Sequence, residues 1–193
     1  MPRISTEEFE RLPLRVHDFL AGVPLHDVWV VDLPQVRAGI TLNEFLNSAR
    51  EPLRCSLAVR VLVNVRFALG RVFVWDRKLG AQDLETFASR LTTSDRARTL
   101  TSPGKPEGIF RIVYRFENEQ LLEIINRTAH AGALSALVER DGTYRFYFGV
   151  YVHPVGRFTR VYMALIDPLR TVAVYPSLLR SIQARWNETF RTG

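Results

Sequence analysis

The stretch "LSALVERDGTYRFYFGVYVH", residues 134–153, decides the fold. Asp141-Gly142 sits between two apolar, alternating runs. Both central residues of a tight hairpin turn need positive φ, which glycine adopts freely and aspartate tolerates. The dipeptide therefore predicts a two-residue turn joining strands 132–139 and 143–153. Counting back from it sets Tyr144 opposite Glu139, Phe146 opposite Leu137, Phe148 opposite Ser135 and Val150 opposite Ala133. Rings on successive same-face positions make one wide apolar surface.

Downstream, Pro154-Val155-Gly156 reads as a three-residue loop into a strand at 157–166, which pairs Val152 with Phe158, Val150 with Arg160, Phe148 with Tyr162 and Phe146 with Ala164. Upstream, strands are expected at 109–117 and 120–128. An Asn118-Glu119 turn would pair Phe116 with Leu121, Tyr114 with Glu123 and Ile112 with Ile125, leaving Arg111 and Arg115 toward water. With Asp27–Leu33 as a further strand, the sheet has six. After Asp167-Pro168 a helix kinked at Pro176 runs to about Phe190. Tyr175, Leu179, Ile182, Trp186 and Phe190 lie on one stripe of it, which must be buried against the sheet.

Ser5–Glu8 forms a capping box that opens a short helix carrying Phe9 and Leu12, within an N-terminal packing arm, residues 1–24. Thr41–Glu44 is a second capping box, opening a helix closed by Glu51-Pro52. Residues 53–75 alternate like a strand but also carry a long helical stripe, and are read as helix. Residues 83–91 suit a further helical turn or two, and 92–108 an exposed connection. The opposite sheet face holds Tyr147, Tyr151, Met163 and Leu165, and so leaves room for contact with a second copy of the chain.

At 193 residues and 47% hydrophobic content the chain suits one domain with a sizeable core. Its one cysteine, Cys55, offers no disulfide and no metal cluster, which favours a reducing cytoplasm. The start lacks the layout of a signal peptide. Arg60, Asn64, Arg66 and Arg71 break the most apolar stretch, so no membrane span is expected. The charge of +6 comes almost wholly from scattered arginines, Lys78 and Lys105 being the lysines. Without a basic run, nucleic-acid binding is disfavoured.

The segments "VRFALGRVFVWD" (65–76), "FRIVYRFENEQLLEIINRTAHAGALSAL" (110–137) and "IDPLRTVAVYPSLLRSIQARW" (166–186) resemble an uncharacterised bacterial family known only as a domain of unknown function. The element order resembles the helix-grip fold of START and Bet v 1-like proteins. That resemblance implies an α+β domain whose curved six-stranded antiparallel sheet wraps a long C-terminal helix, with helices inserted after the first strand. It also implies a cavity for apolar small molecules, in a superfamily that includes polyketide cyclases.

Within such a cavity Glu123 is the candidate acid, base or polar anchor, since a carboxylate on an apolar face is desolvated. Arg160 would hold a ligand carboxylate. Tyr114, Tyr144, Tyr162 and Ser135 would orient the ligand, and Phe148 and Trp186 enclose it. His17, His26, His130 and His153 show no metal-ligand spacing. No nucleophile elbow or phosphate loop is present, and no cofactor is expected. The expected function is binding of an apolar or amphipathic small molecule. The alternatives are a cyclase- or hydratase-type enzyme using Glu123 and an interaction module with a filled core.

Overall fold

The computed structural model describes residues 4–34, 38–47, 85–125, 130–140, 142–153, 164, 167–168 and 170–190. In chain order these give α1 (Thr6–Glu10), α2 (Arg15–Phe19), β1 (Leu25–Leu33), α3 (residues 42–47), a 3₁₀ turn at Phe87–Arg90, and α4 (Thr93–Arg98). There follow β2 (Pro106–Glu107), β3 (Phe110–Arg115), β4 (Glu119–Ile125), β5 (His130–Arg140), β6 (Thr143–His153) and α5 (Tyr175–Phe190). The predicted helix at 53–75 lies outside the described residues.

The six strands form one antiparallel, unclosed sheet in the order β1-β6-β5-β4-β3-β2. The β5–β6 hairpin has the register set by the Asp141-Gly142 turn, with Glu139↔Tyr144, Leu137↔Phe146, Ser135↔Phe148 and Ala133↔Val150, and Gly142 takes φ +75°. Among the described strands β6 pairs with β5 and β1, not with the strand expected at 157–166. Its second edge is filled by β1, from Leu33↔Tyr144 to Leu25↔Tyr151. Ala164, inside that predicted strand, is helical, and the rest of the segment lies outside the described residues. The sixth strand is instead the two-residue β2, whose Pro106 keeps the edge short and poor in donors.

Both faces of the sheet are covered, which explains why β1 buries five residues in a row, Asp27 to Val31. On one face, called the helix side, α5 and α3 pack on Trp29, Val31, Leu33, Leu137, Phe146 and Val152. All five stripe residues of α5 are buried, as the spacing requires. A π-helical turn at Arg170–Val174 precedes Pro176, which cannot donate the backbone hydrogen bond that would continue a regular α-helix through it.

On the other face, the arm side, α1, α2 and the 3₁₀ turn bury Phe9, Val16, Phe19, Leu20 and Phe87 against Val30, Leu121, Leu134, Tyr147 and Tyr151. The chain's own N-terminal arm thus covers the tyrosines that suggested a contact with a second copy. Gly132 of β5 lies under this layer, where an added Cβ would meet Leu121 Cδ1 tightly at 3.3 Å and reach ordinary contact with Leu20 and Phe87.

Residues 92–108 are not merely a connection. Thr92 and Asp95 form a reciprocal capping box that starts α4. Among the described residues no helix is long and apolar enough to cross a membrane.

Candidate functional site

The hairpin between β3 and β4 turns at Glu117-Asn118, with the Phe116 amide donating to the Glu119 carbonyl at 2.8 Å, one residue earlier than the sequence suggests. A bulge between Ile112 and Tyr114 then shifts the pairing again, to Ile112↔Leu122 and Arg111↔Glu123. The β4–β5 register pairs Glu123 with Gly132, and therefore with the even-numbered residues of β5. Those face the arm, whereas Ala131 and Leu137 pack on the helix side.

Glu123 is consequently on the side of the sheet away from α5, against the expectation that it lines a cavity there. It is 1% exposed, and its Oε2 accepts from the Phe87 amide at 2.7 Å and lies 3.3 Å from His130 Nε2. His130 stacks on Phe87 with ring centroids 3.7 Å apart. This buried pair fastens the 3₁₀ turn to the sheet. Tyr114 also faces the arm, its ring packed edge-on to Phe19 and its hydroxyl donating to Glu119.

Glu119 terminates a second buried network. α2 has no side-chain cap of its own, because Leu14 stands at that position. The Glu119 carboxylate replaces it from 103 residues away, accepting from the Val16 amide at 2.9 Å and from the Arg15 amide at 2.8 Å. Burial pushes its pKa up, opposed by these hydrogen bonds. Burial likewise holds the Tyr114 hydroxyl well above its usual value.

The Arg15 side chain grips Asp95 with two hydrogen bonds of 3.0 and 3.1 Å. That contact lowers the Asp95 carboxyl from 3.8 to about 2. A carboxylate whose folded pKa is depressed stabilises above its unfolded value, and the benefit disappears as pH falls through the folded one. Asp95→Asn is therefore expected to cost about 1–2 kcal/mol at pH 7, discounted for the partial exposure of Arg15, and almost nothing near pH 2. Thermal unfolding of both proteins across that range checks it; a pH-independent difference would exclude the ion pair as the cause.

The helix side carries a different arrangement. One row crosses the sheet as Arg115↔Gln120↔Ser135↔Phe148↔Trp29. Arg115, expected to face water, is 5% exposed. Its Nε donates to Gln120 Oε1 and its Nη2 to Glu107 Oε2. Ser135, Phe148, Ala131, Ala133 and Leu122 around the row keep partial exposure, although the same face over β1 is buried. Phe148 meets Tyr175 at 5.3 Å between centroids, and so does Trp29 at 5.6 Å. The buried Trp29 indole N–H has no acceptor among the described residues.

Of the sequence-predicted site residues, this row unites Ser135 and Phe148. Trp186 is core, fully buried against Phe45, Tyr144 and Phe190. Tyr144 is satisfied within the core, accepting from the Ile40 amide and donating to Glu139. Arg160 and Tyr162 lie outside the described residues. Arg115 and Gln120 were not candidates, since only the true turn position brings them into line with Ser135.

The profile of a family described as "Protein of unknown function (DUF2867)" matches residues 19–177. The chain belongs to the DUF2867 family. The DUF2867 match contains the whole helix-side row and the Glu123–His130 pair, and it leaves out Arg15, Val16 and Trp186. No curated protein and no solved structure matches the chain.

Proposed function

We propose that the protein binds a small amphipathic molecule with an acidic head on the helix side of its sheet. The observation that carries this reading is the Arg115–Gln120–Ser135–Phe148–Trp29 row. Ala131, Ala133 and Ser135 on β5 are small, and with Leu122 and Phe148 they form a partly exposed floor. Apolar enclosure would supply affinity, and a few polar groups would fix orientation. The Arg115 guanidinium at one end, engaged by Glu107 and Gln120, would exchange the Glu107 carboxylate for that of a ligand, and the Trp29 indole N–H at the other, without an acceptor among the described residues, suits an oxygen. The packing of a C-terminal helix on one face of an antiparallel sheet supports the helix-grip reading and, with it, a START or Bet v 1-like relationship. Catalysis has less support than binding, because Glu123 is on the opposite face.

The test uses cis-parinaric acid, a fluorescent apolar chain with a carboxylate head. Saturable binding to the wild-type protein is expected. Ala133→Phe should fill the floor and lower affinity by about tenfold or more, while Arg115→Gln, losing a charge-assisted contact, should lower it by about tenfold. Near-UV circular dichroism identifies any variant that has lost its fold. If folded Ala133→Phe bound as tightly as wild type, the proposed location would be wrong.

A further inference from the structure

On the arm side, a cavity of about 800 Å³ opens between the N-terminal arm and the β3–β4 turn, within the range of small-molecule sites. Leu12, Leu14 and Phe116 give it apolar walls. Four carboxylates line it, those of Glu10, Asp18, Glu117 and Glu119, against the guanidiniums of Arg15 and Arg98. Arg15 is already answered by Asp95 and Asp18. Asp18 is taken by Arg15 and Glu119 by the Arg15 and Val16 amides and the Tyr114 hydroxyl, which leaves Arg98 as the cation beside Glu10 and Glu117, in a protein whose overall charge is +6.

Arg98 is exposed, and its guanidinium lies over the Phe116 ring, 4.8 Å from the centroid, with no acidic partner among the described residues. The ring face is thus a cation platform occupied by a movable side chain. A second observation points the same way. His17 Nε2, buried at the cavity wall, has no hydrogen-bond partner among the described residues. Burial lowers the His17 pKa, opposed by the Glu10 carboxylate and by hydrogen bonding to the Phe9 and Leu12 backbone. The neutral ring then adds no positive charge to the wall that a ligand cation would meet.

We infer that this cavity binds a small organic cation, an ammonium or guanidinium on an apolar body, which takes the place of Arg98 on Phe116 among the rim carboxylates. The site is separate from the helix-side row and does not depend on it.

Calorimetric titration with agmatine, which carries both cationic groups, tests the inference, with butylurea as the uncharged counterpart. Agmatine is expected to bind, butylurea not to bind, and added salt to weaken the interaction. Arg98→Ala removes the internal competitor and should tighten binding by about two- to fivefold. Glu117→Gln, an exposed substitution, should weaken it several-fold. Absence of agmatine binding to both wild type and Arg98→Ala would overturn the inference, and so would Arg98→Ala binding no tighter than wild type.

Discussion

Trp186→Ala is expected to lower the free energy of unfolding by about 4 kcal/mol, the largest effect of any single substitution considered for this chain. The side chain is fully buried. Its ring lies 5.6 Å from Phe45, 5.2 Å from Tyr144 and 4.7 Å from Phe190 between centroids, joining α3, β6 and α5. Its Nε1 donates to the Pro34 carbonyl at 2.8 Å, fastening α5 to the end of β1. Alanine leaves a cavity among rigid rings and strands that carbonyl. Trp186→Phe keeps most of the apolar contact and should cost about half as much. Urea titration measures both. A loss below about 1 kcal/mol for Trp186→Ala would mean that α5 does not depend on this contact.

Glu119→Ala is expected to cost about 3 kcal/mol, because three donors, the part-buried Arg15 amide and the buried Val16 amide and Tyr114 hydroxyl, lose their acceptor together. Amide exchange should accelerate most across residues 6–20, which the carboxylate ties to the sheet, and least in the β5–β6 hairpin. Glu119→Gln keeps one acceptor oxygen and should fall between. The folded pKa of Glu119 is raised, so its contribution is greatest below the unfolded value of 4.5 and declines as pH rises through the folded one. Wild type should therefore gain on Glu119→Gln as the solution is acidified. Uniform exchange across the protein after Glu119→Ala would show that the arm is held by apolar packing alone.

Elements set by local chemistry were legible. Ser5 accepts from the Glu8 amide and Thr41 from the Glu44 amide, as their spacing to a glutamate three residues on implies. The Asp141-Gly142 signal gave the β5–β6 pairing residue for residue, because a two-residue turn leaves the flanking strands a single way to meet. The α5 stripe named its own buried face. Thr92 and Asp95, the pair that forms a full reciprocal box, carried the same capping signal as Ser5 and Thr41, obscured by a surrounding run of Thr, Ser, Pro and Gly.

The candidate sites were less legible, for one reason. A sheet buried on both faces has no polar face to betray its orientation, so the alternation in residues 110–125 fits either layer. Moving the β3–β4 turn by one residue and adding a bulge reassigned Arg115 from solvent to the helix side. The β4–β5 register sent Glu123 to the arm side.

The sequence by itself determined the turns, the helix caps, the amphipathic stripe and an α+β composition, since each rests on contacts within a few residues of chain. Only the tertiary structure decided that β1 rather than a later segment closes the edge of β6, which layer each carboxylate enters, and which arginine stands beside Ser135. The first outcome joins residues more than a hundred positions apart, and the others follow from a turn position, a bulge and a strand register chosen by the competition of two apolar layers for the same sheet.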